Sequence, residues 1–327
     1  MLRHSIAPIP AGALDLTGDA ARRRRQLQRA TLAVLEQAGY EELLPPTFEY
    51  EETFLRAGGP DVAERLIRFV DLDGRTLALR YDFTACLARL AATTFRDAPR
   101  PLRLGYTGKV YRQEPERGAR PREILQVGAE LMGDASLDAD IQVVRLVLAL
   151  ARAAGLDDVQ LNLGHVGVLA PSLAGLDARD RAEARRWVDR KDRGSLRRAL
   201  ADAGGDARAL LTLPFVMGRR DALDAAVAAA PVAARPALAH LQALDDALTP
   251  AERARVVYDL GEVRGLDYYT GIQFELFAAG AGRAVGAGGR YDELMARFGT
   301  PMPAVGVSLD LDALAEIGEP DAAGGAA

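Results

Sequence analysis

The chain has 327 residues, 49% of them hydrophobic and 27% charged, with a formal net charge of −5 and a pI near 5.5. That balance is ordinary for a soluble protein, gives no basic footprint for nucleic acid, and includes no run near the ~20 apolar residues that span a bilayer. A single cysteine, Cys86, excludes an internal disulfide and fits a reducing compartment, and MLRHSIAPIP lacks the apolar stretch of a secretory leader, so the sequence reads as cytoplasmic.

The length allows one large domain or two. Arginine nearly displaces lysine, which occurs only at Lys109 and Lys191, and this reads as base composition before function. His4, His165 and His240 are scattered without metal-ligand spacing.

In chain order, Leu27, Thr31, Val34, Leu35 and Ala38 predict a helix over 19–38 with Asp19 as its cap. The arginine run 22–25 in its first turns reads as a solvated face. Gly39 ends the helix, and a short strand leads to Pro45 and Pro46. From Leu77, alternation of Leu77, Leu79 and Tyr81 with Ala78, Arg80 and Asp82 predicts a strand, followed by a helix over 84–92. Asp82 and Thr84 sit at that handover, a favoured place for ligand groups.

In the block 108–133, Leu125, Val127, Ala129 and Leu131 share one strand face while Gln126, Gly128 and Glu130 share the other. A buried apolar face then backs a polar one, as in a strand that floors a pocket. A helix over 138–154 and a strand over 159–163 follow. From 167 to 250 the sequence turns to Ala, Arg and Asp at helical spacing, which predicts a small all-helical insertion with Trp187 in its core. The sheet resumes at 256–260. The stretch Glu262-Val-Arg-Gly-Leu-Asp-Tyr-Tyr-Thr-Gly-Ile-Gln-Phe-Glu275 then delivers a polar, aromatic loop onto a half-buried strand, a setting suited to a small polar ligand.

RGLDYYTG, followed by Gly286-Ala-Gly-Gly-Arg-Tyr-Asp292, resembles the two histidine-binding signatures of the histidyl-tRNA synthetase family. The 19–38 helix with its strand and proline is similar to motif 1 of class II synthetases, the dimer-forming element, and the 108–133 block is similar to motif 2. The resemblance implies an α+β class II synthetase-like fold, an antiparallel sheet flanked by helices with a small all-helical insertion. Residues 1–166 and 251–318 would form a histidine-binding domain, 167–250 the insertion, and 319–327 a disordered tail. It further implies that Arg112 meets the ligand carboxylate, Gln126 and Glu130 its amine and imidazole, and Asp82 and Thr84 its ammonium, with Asp82 standing where the family has a glutamate. Arg264, Tyr268, Tyr269 and Tyr291 complete the implied histidine site.

The departures fall on ATP. Ile124 stands where the family stacks an aromatic ring on adenine. Ala313, within Ala304-Val-Gly-Val-Ser-Leu-Asp-Leu-Asp-Ala-Leu314, stands where it places an arginine for the γ-phosphate, and Asp310 and Asp312 add negative charge beside it. After Leu314 only AEIGEPDAAGGAA remains, where the synthetase continues into an anticodon-binding domain. A kept histidine pocket with a lost ATP clamp is similar to the regulatory subunits of ATP phosphoribosyltransferase. That resemblance implies a non-catalytic chain of histidine biosynthesis with no cofactor, no metal and no tRNA. Its partners would be L-histidine as effector and the short-form catalytic subunit, with this chain a homodimer inside a hetero-oligomer. The alternatives are a histidyl-tRNA synthetase-like enzyme that activates histidine with ATP, or one that aminoacylates a non-tRNA acceptor. The retained Arg264 does not decide among them.

Overall fold

The computed structural model describes residues 9–58, 60–113, 121–201, 207–262 and 268–317. The tail 319–327 and Arg264 lie outside the described residues. The strands in chain order are β1 (Glu41–Glu42), β2 (Phe48–Tyr50), β3 (Arg68–Val70), β4 (Thr76–Leu79), β5 (Leu102–Tyr111) and β6 (Glu123–Met132). They continue as β7 (Val159–His165), β8 (Met217–Gly218), β9 (Val256–Asp259), β10 (Ile272–Ala278), β11 (Gly286–Arg290) and β12 (Ala304–Asp310). Nine form one sheet in the order β1-β5-β6-β12-β11-β10-β7-β9-β8, and β2-β4-β3 form a second, small sheet. The large sheet is antiparallel except at β1/β5 and β7/β9. This is the α+β fold that the resemblance implied.

The alternation in β6 sorts the two faces. Leu125, Val127, Ala129 and Leu131 enter one core with helix α1 (Gly18–Gln37) and helix α3 (Leu137–Ala153), whose buried stripe includes Val143, Val144 and Val147. Ser136 caps α3 by accepting from Ala139 N. On the other face Tyr106, Val110, Tyr268 and Tyr291 pack with helix α2 (Phe83–Ala92) and the small sheet.

Among its described residues the 167–250 segment consists of helices joined by turns, apart from Met217–Gly218, which forms β8 and adds to the sheet edge beside β9. Its longest helix, α4 (Arg235–Ala247), buries Leu238, Leu241 and Leu244 in the same core as α3 and β7. Trp187, expected in the core, is half-buried at its margin, with Arg186 and Arg190 over its ring at 4.6 and 5.5 Å.

Two expectations for α1 are corrected. The helix begins at Gly18 after Thr17, which makes no side-chain cap, while Asp19 lies within the first turn and pairs with Arg22. The arginine run is not wholly solvated: Arg24 Nε lies 2.8 Å from Asp312 Oδ1 and ties α1 to helix α5 (Leu311–Glu316). No helix among the described residues is long and apolar enough to cross a membrane.

Candidate functional site

β5 and β6 pair antiparallel from Leu102↔Met132 to Tyr111↔Glu123, and this register places Tyr106 opposite Gly128. The glycine between Gln126 and Glu130 has a specific use, because a methyl there would overlap the Tyr106 phenol. On the neighbouring strand Gly306 lies opposite Glu130, and a methyl there would overlap the Glu130 carboxylate. Glycine on two strands therefore opens a cavity of about 170 Å³ above β6. Asp82, Thr84, Arg112, Gln126, Glu130, Tyr268, Tyr269 and Tyr291 all line it. These are the predicted site residues other than Arg264, gathered from α2, β5, β6 and the ends of β10 and β11.

Asp82 caps α2, its Oδ1 accepting from Ala85 N at 2.8 Å. Burial raises its pKa, against the cap hydrogen bond and the Arg112 charge. Glu130 is the most enclosed acid of the cavity, 2% exposed. Its Oε1 accepts from Thr84 Oγ1 at 2.8 Å and from Tyr106 OH at 3.5 Å, and its Oε2 from Tyr291 OH. Burial pushes its pKa up to about 7; the hydrogen bonds oppose this, and the nearby Asp82 charge adds to it. Arg112 donates to Tyr81 O at 3.3 Å and rests over the Tyr81 ring at 4.9 Å. Tyr268 meets Tyr269 and Tyr291 edge to face at 5.1 and 5.4 Å, so the aromatic wall is fixed by its own packing.

Tyr106, Phe83 and Gly306 also line the cavity and were not singled out in the sequence. Phe83 stacks on Tyr106 at 4.1 Å, and the Arg80 guanidinium lies over Phe83 at 4.0 Å. Tyr106 was within reach, because it shares the alternation of Leu102 and Leu104 just before the block at 108.

Arg112 and Gln126 also border a larger cavity of about 550 Å³ with Ile124, Arg283 and Asp310. Here the charge expectation is corrected. Asp310 pairs with Arg283 at 2.8 Å and accepts from the backbone N of Asp312 and Ala313. Asp312 pairs with Arg24 and accepts from Leu125 N at 2.7 Å. Both carboxylates are engaged within the fold, so they do not face a nucleotide as free charges. Ala313 is buried in the first turn of α5, and its methyl side chain offers no donor.

The histidyl-tRNA synthetase family profile matches residues 12–314. The chain is 40% identical to the ATP phosphoribosyltransferase regulatory subunit of Moorella thermoacetica over 314 residues, 94% of this chain and 80% of that one. It is 38% identical to the regulatory subunit of Burkholderia lata, over 97% of this chain and 83% of that one. Among solved structures, an ATP phosphoribosyltransferase regulatory subunit/histidyl-tRNA synthetase from Bacillus halodurans superposes with a TM-score of 0.86 at 30% identity, covering 95% of this chain and 83% of that one. A histidine–tRNA ligase subunit from Alicyclobacillus acidocaldarius gives 0.80 at 31%, covering 96% and 97%. By this family match and these relatives, the chain belongs to the histidyl-tRNA synthetase-like family, in the branch of ATP phosphoribosyltransferase regulatory subunits.

Proposed function

We propose that this chain binds free L-histidine in the 170 Å³ cavity and, without chemistry of its own, controls a short-form ATP phosphoribosyltransferase catalytic subunit at the opening of histidine biosynthesis. The observation that carries the reading is the lining itself. Two buried carboxylates, a guanidinium, an amide and four phenols converge there, complementary to an amino acid with a cationic amine, a carboxylate and an imidazole. Residues 1–166 with 251–318 act as the histidine-binding domain and 167–250 as the insertion. The exposed apolar side chains Leu44, Phe48, Val70 and Leu72 supply contact area for a second copy in a homodimer.

A pocket that performs no reaction acts by favouring one state of an assembly over another, and the linkage is reciprocal. The catalytic subunit is expected to change histidine affinity by the factor with which histidine changes the complex, roughly 5–150-fold for a coupling typical of allostery. The test mixes the two purified chains and measures phosphoribosyl-ATP formation with and without histidine. Inhibition by histidine should appear with the wild-type chain and weaken at least roughly tenfold with Tyr269→Ala. Failure of the chains to co-elute, or inhibition indifferent to the variant, refutes the reading.

The competing reading, histidine activation with ATP, makes the opposite prediction for pyrophosphate exchange. Ile124, which borders the larger cavity, is itself not aromatic, and the methyl side chain of Ala313 supplies no donor. A missing preorganised donor alone costs roughly 2.7–4 kcal/mol at a charged transition state. Histidine-dependent exchange is therefore expected to stay at the no-enzyme level, in wild type and in Ala313→Arg alike. Exchange well above that control in either chain overturns the assignment as non-catalytic.

A further inference from the structure

Successive residues of a strand face opposite ways, and the end of β11 uses this to join the pocket to the far side of the sheet. Tyr291 reaches Glu130 in the cavity. Arg290, one residue earlier, reaches α3, where its Nε and Nη2 lie 2.9 and 2.8 Å from Asp140 Oδ1. Its Nη1 donates to Asp134 O and to Asp292 Oδ1, both at 3.1 Å, and Nη2 to Ser136 O at 3.3 Å. The same residues hold the segment that carries the pocket tyrosines. Thr270 N donates to Arg290 O at 2.8 Å, and Asp292 N donates to Thr270 Oγ1 at 2.9 Å. None of Arg290, Asp140, Thr270 and Asp292 lines the cavity.

Asp140 has no solvent exposure, so both its oxygens need partners inside the protein. Arg290 serves Oδ1. Oδ2 lies 2.7 Å from Nε2 of His240, on α4 in the 167–250 segment. The His240 ring stands edge-on to His165 of β7 at 5.4 Å, and His165 Nδ1 accepts from Gly167 N at 3.0 Å where that segment begins. One buried carboxylate therefore fixes α4 and the pocket end of β11 against each other. A shift of α4 that withdraws the His240 ring leaves Oδ2 unpaired, and Asp140 with Arg290 must readjust.

We propose that Asp140 and His240 are positioning residues of the histidine pocket, coupling the placement of helix 235–247 to ligand affinity through Arg290 without touching the ligand. This rests on the cavity being a histidine site. It makes the 167–250 segment a reporter of pocket occupancy, in place of a passive decoration on the sheet.

The test uses the full chain, with L-histidine titrated calorimetrically and amide exchange followed across 235–247. His240→Gln keeps a donor in reach of Asp140 and is expected to bind histidine within about twofold of wild type. His240→Ala removes the donor and is expected to bind about tenfold more weakly. Histidine should slow exchange in 235–247 of wild type and His240→Gln, and not in His240→Ala. Unchanged affinity in His240→Ala, or wild-type exchange in 235–247 indifferent to saturating histidine, overturns the coupling while leaving the pocket standing. No histidine binding by wild type overturns the pocket reading and the coupling with it. Should His240→Ala fail to fold, the wild-type exchange measurement still decides.

Discussion

Glu130→Gln is expected to stabilise the ligand-free chain above pH 7 while weakening histidine binding about 10–100-fold. Burial raises the Glu130 carboxyl from 4.5 to about 7 in the fold, so the folded state holds its proton more tightly than the unfolded chain does. The stability tied to that proton is complete below about 4.5 and is lost as pH rises through about 7. The loss is about 3 kcal/mol. The amide of the variant carries no charge at any pH, so its unfolding free energy should lack this decline. Urea unfolding at pH 5 and pH 8 would show the contrast, with calorimetric titration of histidine on the same samples. A variant with the wild-type pH profile would mean that another group titrates. Wild-type affinity would mean that the ligand does not meet this carboxylate. The opposed signs would follow from one cause: an acid kept to meet the ligand's ammonium or imidazole stands where the empty fold is better without its charge.

What the sequence could reveal follows the range of the interactions. The alternation from Leu125 to Leu131 is local, and it named both the buried face of β6 and the two polar groups of the pocket floor. The signature residues Tyr268, Tyr269 and Tyr291 could be named because their resemblance lies in short contiguous strings. Roles that depend on pairs distant in sequence were not readable. Arg24 and Asp312 are 288 positions apart, and their pairing removes one of them from the solvated face and the other from the charge assigned to the ATP region. Arg283 does the same for Asp310. His240 looked isolated because its partner, Asp140, lies 100 positions earlier on another helix. The alternation with Leu102 and Leu104 could have put Tyr106 on a strand face, but only the β5–β6 register sets it across from Gly128 and gives it its place in the pocket.

Gly306→Ala should damage the fold and the pocket together. Gly306 sits in β12 between Glu130 of β6 and Gly289 of β11, in the middle of the sheet. An added methyl would overlap the Glu130 carboxylate and approach the Ala129 carbonyl oxygen to 2.9 Å. The carboxylate is the only part able to yield, and Thr84, Tyr106 and Tyr291 hold it by hydrogen bonds. Either those bonds break and Glu130 leaves its place, or β12 moves away from β6. The expected result is a loss of about 1–3 kcal/mol of stability, together with loss of measurable histidine binding. Gly282→Ala serves as the comparison, since a methyl there meets nothing within 4 Å, and its melting temperature should equal or slightly exceed that of wild type. Thermal melting and calorimetry on the two variants check both halves. If Gly306→Ala melts like wild type and still binds histidine, Glu130 has room to move aside, and the pocket is not held in advance for its ligand.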